Sequence, residues 1–86
     1  MIEDFQKALD FMGLTPFVTF KEIKQRYIEL SKEYHPDFGG DSKKMDELNR
    51  SYNLLKEYIE NFRYYFNEDE ISKQYNGSEY VKQFRF

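Results

Sequence analysis

Residues 20–59 read FKEIKQRYIELSKEYHPDFGGDSKKMDELNRSYNLLKEYI, and this stretch decides the fold. Phe20, Ile23, Tyr27, Leu30 and Tyr34 follow one another at steps of three and four. That spacing lays one apolar stripe along a helix, broad enough to face a core. Thr19 and Glu22 form a T-x-x-E capping box just before it, with Val18 and Ile23 at the positions of a hydrophobic staple. Pro36 disfavours helical angles at His35, so the helix is predicted to stop near Tyr34. Residues 35–41, HPDFGGD, then form a loop in which Gly39 and Gly40 permit backbone angles closed to other residues. Asp41 or Ser42 caps the next helix. That helix carries Met45, Leu48, Tyr52, Leu55, Ile59 and Phe62 on one face and is predicted over residues 42–63. Two amphipathic helices joined by a short loop pack antiparallel, stripe against stripe.

On the N-terminal side, Phe5, Ala8, Leu9 and Met12 predict a short helix over residues 3–12, ended by Gly13 and followed by a Leu14-Thr15-Pro16-Phe17 connector. On the C-terminal side, Asn67 and Glu70 suggest a capping box for a helix through Gln74. Asn76-Gly77-Ser78 reads as a turn, and Tyr80 with Phe84 as one last helical face. The fold class is therefore all-α, a helical hairpin with a short N-terminal helix and a short helical C-terminal extension.

Composition narrows the function. The chain has 86 residues, enough for one compact unit, and nine Phe with eight Tyr supply much of its apolar bulk. It has no Cys, so disulfides and thiolate chemistry are excluded. The apolar runs are too short to span a bilayer, and the acidic start MIEDFQKAL lacks a signal-peptide core, so a cytoplasmic location is expected. The net charge of −3 argues against a nucleic-acid binder, which needs a basic footprint. No nucleophile–base pair or metal cluster is evident, so no enzyme and no cofactor are expected. Asp37-Phe38-Gly39 matches a kinase tripeptide without the accompanying nucleotide loop, and Asp37 with Asp41 fails the spacing of a calcium loop.

Against this background His35-Pro36-Asp37 gains weight from its setting: a capped helix ending in Lys32-Glu33-Tyr34, the tripeptide, Gly39-Gly40-Asp41, then a second striped helix. FKEIKQRYIELSKEYHPDFGGD followed by MDELNRSYNLLKEYI strongly resembles the J-domain family, the DnaJ-type co-chaperones, through that family's second helix, signature loop and third helix. ALDFMGL resembles its first helix and turn, and the likeness covers roughly residues 4–62. The resemblance implies a module that docks on a DnaK-type heat-shock chaperone and promotes ATP hydrolysis there, with no covalent chemistry of its own. It implies partner-binding roles for His35, Pro36, Asp37 and Phe38 in the loop, and for Lys24, Arg26, Tyr27 and Lys32 on the second helix.

The residues are suited to such roles. Asp37 offers a carboxylate for a basic group on a partner. Pro36 fixes a backbone angle and lowers the ordering cost. His35 brings a donor and an acceptor on a planar ring.

The chain departs from the family pattern in two places. Ile28 and Glu29 stand where that face is commonly basic, and Phe38 replaces the usual Lys or Arg. Residues 19–34 carry four basic and three acidic side chains, a net of +1, so a weaker, less salt-sensitive encounter is expected. Phe38 either makes an apolar contact with the partner or folds onto the core. The alternative function is a J-like adaptor that recruits a chaperone or another protein with little ATPase stimulation.

The second departure is residues 57–75, EYIENFRYYFNEDEISKQY, which stand in place of the usual short, often basic fourth helix. Residues 1–63 are expected to form the J domain and 64–86 an aromatic-rich extension. Tyr64, Tyr65, Phe66, Tyr75, Tyr80, Phe84 and Phe86 either pack back on the hairpin, the favoured reading, or dock a polypeptide client.

Overall fold

The computed structural model describes residues 1–75; the expected turn at Asn76-Gly77-Ser78 and the face of Tyr80 and Phe84 lie outside the described residues. Helix α1 is Ile2–Met12, α2 is Phe20–Tyr34, a single 3-10 turn is Pro36–Phe38, α3 is Ser42–Glu60 and α4 is Glu68–Tyr75. The all-α expectation holds, and among the described residues there is no strand.

Each helix begins and ends for a local reason. Gly13 takes φ 69° and closes α1 with a double reverse bond, its own N–H to Asp10 O at 3.1 Å and the Leu14 N–H to Leu9 O at 2.8 Å. The Thr19 hydroxyl oxygen accepts the Glu22 N–H at 3.1 Å and starts α2. The reciprocal half of the box is made differently: the Glu22 carboxylate accepts from the Thr19 hydroxyl at 3.0 Å. Asp41 caps α3 by accepting the Lys43 N–H at 2.8 Å. Asn67 caps α4 by accepting the Glu70 N–H at 2.8 Å, while the Glu70 carboxylate turns forward to Lys73 at 3.1 Å.

α2 and α3 run antiparallel. Ring and polar contacts descend α3 as they climb α2: Phe20 with Tyr52, Tyr27 with Tyr52 and Asn49, Tyr34 with Lys44. α1 lies across this hairpin, mainly against α3. The core is Ala8, Met12, Ile23, Leu30, Leu48 and Leu55, with Met12 and Leu48 wholly sealed from solvent. Burying each of the larger of these side chains stabilises the fold by roughly 1.5–3 kcal/mol.

The third helix is three residues shorter than the periodicity predicts. Asn61 closes it, with its backbone N–H and side-chain amide both donating to Glu57 O, at 3.0 and 2.8 Å. Phe62 therefore falls past the end of the helix and leaves the core stripe, half exposed, with its ring between Tyr58 and Tyr64. The favoured expectation that the aromatics of the extension pack on the hairpin is not met for Tyr64, Tyr65, Phe66 and Tyr75, which are 63%, 76%, 70% and 58% exposed; Tyr80, Phe84 and Phe86 lie outside the described residues. Among the described residues, no helix is long and apolar enough to cross a membrane.

Candidate functional site

The segment between α2 and α3 folds tightly because its own backbone and one side chain satisfy it. The His35 carbonyl accepts two N–H groups, from Phe38 at 3.0 Å and from Gly40 at 3.1 Å, and the Pro36 carbonyl accepts from Gly39 at 3.0 Å. His35 Nδ1 accepts the Asp37 N–H at 3.1 Å and so caps the 3-10 turn. An imidazole that accepts at Nδ1 carries its proton at Nε2, leaving that N–H as a donor. The Asp37 carboxylate stands 3.6 Å from the same nitrogen, beyond hydrogen-bond reach, and its side chain is 83% exposed. The loop thus presents a donor and an unattached carboxylate from a braced turn.

Two glycines make the turn possible for different reasons. Gly39 adopts φ 82°, a left-handed conformation that costs other residues strain. Gly40 packs so closely on Tyr34 that any Cβ there would collide with the Tyr34 backbone. Sequence reasoning assigned both glycines to conformational freedom; at Gly40 the requirement is space.

Phe38 does not reach the core. It is 75% exposed, and its ring meets that of His35 edge-on at 5.8 Å between centroids. Of the two fates open to it, the outward one is the one observed. Pro36 and Asp37 are likewise exposed.

The α2 residues divide. Lys24 and Lys32 are exposed, Lys24 with its ammonium 5.0 Å from the Phe20 ring. Arg26 faces inward to α1: its Nε donates to Met12 O at 2.8 Å, at the negative C-terminal end of that helix, and Nη1 pairs with Glu29 at 3.3 Å. Tyr27 is also engaged within the hairpin. Its hydroxyl donates to Asn49 Oδ1 at 2.7 Å and its ring stacks on Tyr52 at 4.3 Å. The structure therefore brings His35, Pro36, Asp37 and Phe38 together on one turn and gives Arg26 and Tyr27 structural work. Their partners, Met12 and Asn49, lie 14 and 22 residues away in sequence, and no local pattern announces them. Lys44 places its ammonium 5.7 Å from the centre of the Tyr34 ring. No metal-binding cluster occurs among the described residues.

Comparisons agree with this picture. The family model for the DnaJ domain matches residues 7–65. A chaperone protein DnaJ of Hydrogenobacter thermophilus is 39% identical over 59 residues, covering 65% of this chain and 16% of the relative. A mitochondrial DnaJ homolog 1 of Saccharomyces cerevisiae is 34% identical over 65 residues, covering 72% of this chain and 13% of the relative. The small t antigen of Simian virus 40 is 29% identical over 59 residues, covering 66% of this chain and 34% of that protein. The chain thus spans about a sixth of the length of the first of these relatives. No solved structure matches the chain significantly.

Proposed function

The chain belongs to the DnaJ-domain family, and from that membership we propose that it is a co-chaperone that binds a DnaK-type chaperone and stimulates its ATP hydrolysis through the His35-Pro36-Asp37 turn. One observation carries the reading: the Asp37 carboxylate is 83% exposed on a turn held by His35 Nδ1 at 3.1 Å. A basic group on the partner's ATPase domain pairs with that carboxylate and gains a charge-assisted bond. The turn is ordered before binding, so little conformational entropy is lost. Removing one member of a desolvated charge pair costs ~2–5 kcal/mol. His35 Nε2 and the outward ring of Phe38 extend the contact, and Lys24 and Lys32 supply the charge on α2 that meets an acidic partner surface.

In this reading the chain activates hydrolysis without covalent chemistry of its own and works in the cytoplasm, independent of nucleic acid, membrane or cofactor. Residues 1–63 form the docking module and residues 64–86 an extension. Single-turnover ATP hydrolysis by a DnaK-type chaperone, with wild type and with His35→Gln, tests it. Acceleration by wild type alone is the expected result, and equal rates with both proteins contradict it.

A second reading is favoured by the Arg26–Glu29 pair and the Arg26–Met12 bond, which remove a cation from the docking face. There the chain recruits a chaperone or another protein with weak stimulation. Binding without acceleration distinguishes it.

A further inference from the structure

The end of α3 remote from the turn carries a surface that the docking reading does not use. From Tyr58 the rings form a relay: Tyr58 to Phe62 at 5.9 Å, Phe62 to Tyr64 at 5.3 Å, Tyr64 to Phe66 at 6.2 Å. Phe5 of α1 anchors it at 5.2 Å from Tyr58. Tyr58, Phe62, Tyr64, Tyr65 and Phe66 are all at least 50% exposed. At the ~150–250 Å² such a side chain can bury, they present on the order of 600 Å² of ring surface. A monomer's largest apolar patch is about 300–600 Å² and is often functional. Phe62, Tyr64, Tyr65 and Phe66 also line a groove of about 650 Å³ together with Glu70, Ile71, Gln74 and Tyr75 of α4.

Charge selects the occupant. Residues 57–70 carry five acidic side chains and one basic one. Glu70 pairs with Lys73, while Glu57, Glu60, Glu68 and Asp69 have no ion pair among the described residues. Glu70 is the one carboxylate lining the groove; Glu57, Glu60, Glu68 and Asp69 are exposed on the stretches that flank the rings, and this acidic surround repels nucleic-acid phosphates and anionic lipid. It also disfavours a second copy, because a two-fold contact would set the same carboxylates against each other. Aromatic faces beside unpaired carboxylates attract Lys and Arg, through the ring quadrupole and through charge, and the groove takes apolar side chains.

We infer that this shelf binds an extended polypeptide segment that alternates aromatic or aliphatic side chains with Lys or Arg. The site is about 28 Å of helix away from the Asp37 turn, so a chaperone at one end leaves the other end free for the segment. The inference does not rest on the docking reading, and each can fail alone.

The test is fluorescence anisotropy with the full chain and three labelled peptides of about ten residues. One alternates Lys with Phe and Leu, one has Glu in place of Lys, and one has Ser in place of the apolar residues. The Lys/Phe/Leu peptide binds at least about tenfold tighter than the other two, and Tyr64→Ser/Phe66→Ser weakens it by about tenfold. Glu68→Lys/Asp69→Lys weakens it as well, and circular dichroism confirms that helicity is kept. Equal binding of all three peptides overturns the inference, as does indifference to either double variant. Concentration-dependent dimerisation that buries Tyr64 and Phe66 assigns the shelf to a second copy and overturns it too. So does binding that appears only in a Phe84→Ser/Phe86→Ser chain, which gives the shelf to the chain's own last residues.

Discussion

The imidazole of His35 accepts the backbone N–H of Asp37 at 3.1 Å and leaves the Asp37 carboxylate unattached. Two neighbouring residues of one tripeptide therefore do separate work. His35 fixes the direction of the turn, and Asp37 presents the charge. Asn places its amide oxygen near the position of Nδ1, whereas Gln reaches toward Nε2. His35→Asn is thus expected to keep the turn and lose the outer donor, and His35→Gln to lose the cap. Amide exchange at Asp37 measures the difference: protection persists in the Asn variant and falls in the Gln variant.

Arg26 ties α1 to α2 through its 2.8 Å bond to Met12 O. Hydrogen bonds from a charged donor contribute about 1.5–3 kcal/mol, and partial exposure lowers that figure. Arg26→Ala is expected to cost about 1–2 kcal/mol in urea denaturation. Arg26→Lys recovers little, because an ammonium cannot hold Met12 O and Glu29 with one planar fork.

Tyr27→Phe removes the hydroxyl that donates to Asn49 at 2.7 Å and keeps the ring stack on Tyr52. A loss of about 1 kcal/mol is expected. Combining it with Asn49→Ala in a double-mutant cycle isolates the pair, with a coupling of at least ~0.5 kcal/mol predicted.

Gly40→Ala brings a methyl group onto the Tyr34 backbone. The backbone cannot swing away as a side-chain tip can, so the turn must shift. The expected result is a loss of about 1–3 kcal/mol and, in the ATPase assay, a loss of stimulation larger than that of any surface substitution on α2. Amide spectra of the turn check that the change is local.

The charge on the docking face predicts a mild salt response. Residues 19–34 sum to +1, and Arg26 is paired with Glu29. Over roughly a fourfold rise in salt the association rate with a DnaK-type chaperone is expected to fall by less than about threefold, since screening acts on few exposed charges. Stopped-flow association at several salt concentrations measures it.

Much of this was legible in the sequence wherever the cause was local. The Thr19 cap, the Gly13 closure and the stop before Pro36 are encoded within a few residues, and the stripes of α2 and α3 name the core residues Ile23, Leu30, Leu48 and Leu55. The turn's tripeptide was legible as a motif; its 3-10 form and the acceptor role of His35 Nδ1 were not, because they depend on which atom the ring offers. In the sequence Arg26 reads as part of a basic face and Tyr27 as a member of the α2 stripe. Their hydrogen bonds cross between helices, and helical periodicity carries no information about such partners. Phe62 fitted the α3 stripe by spacing, and only the Asn61 cap ends the helix before it.

Single-turnover ATP hydrolysis by a DnaK-type chaperone, with wild type and with Asp37→Asn, tests the central claim most directly. Asn keeps the side-chain shape and the backbone N–H that His35 holds, and removes only the charge. Stimulation by wild type and its loss with Asp37→Asn at unchanged helicity is the predicted result. An Asp37→Asn protein that accelerates hydrolysis as well as wild type would contradict it.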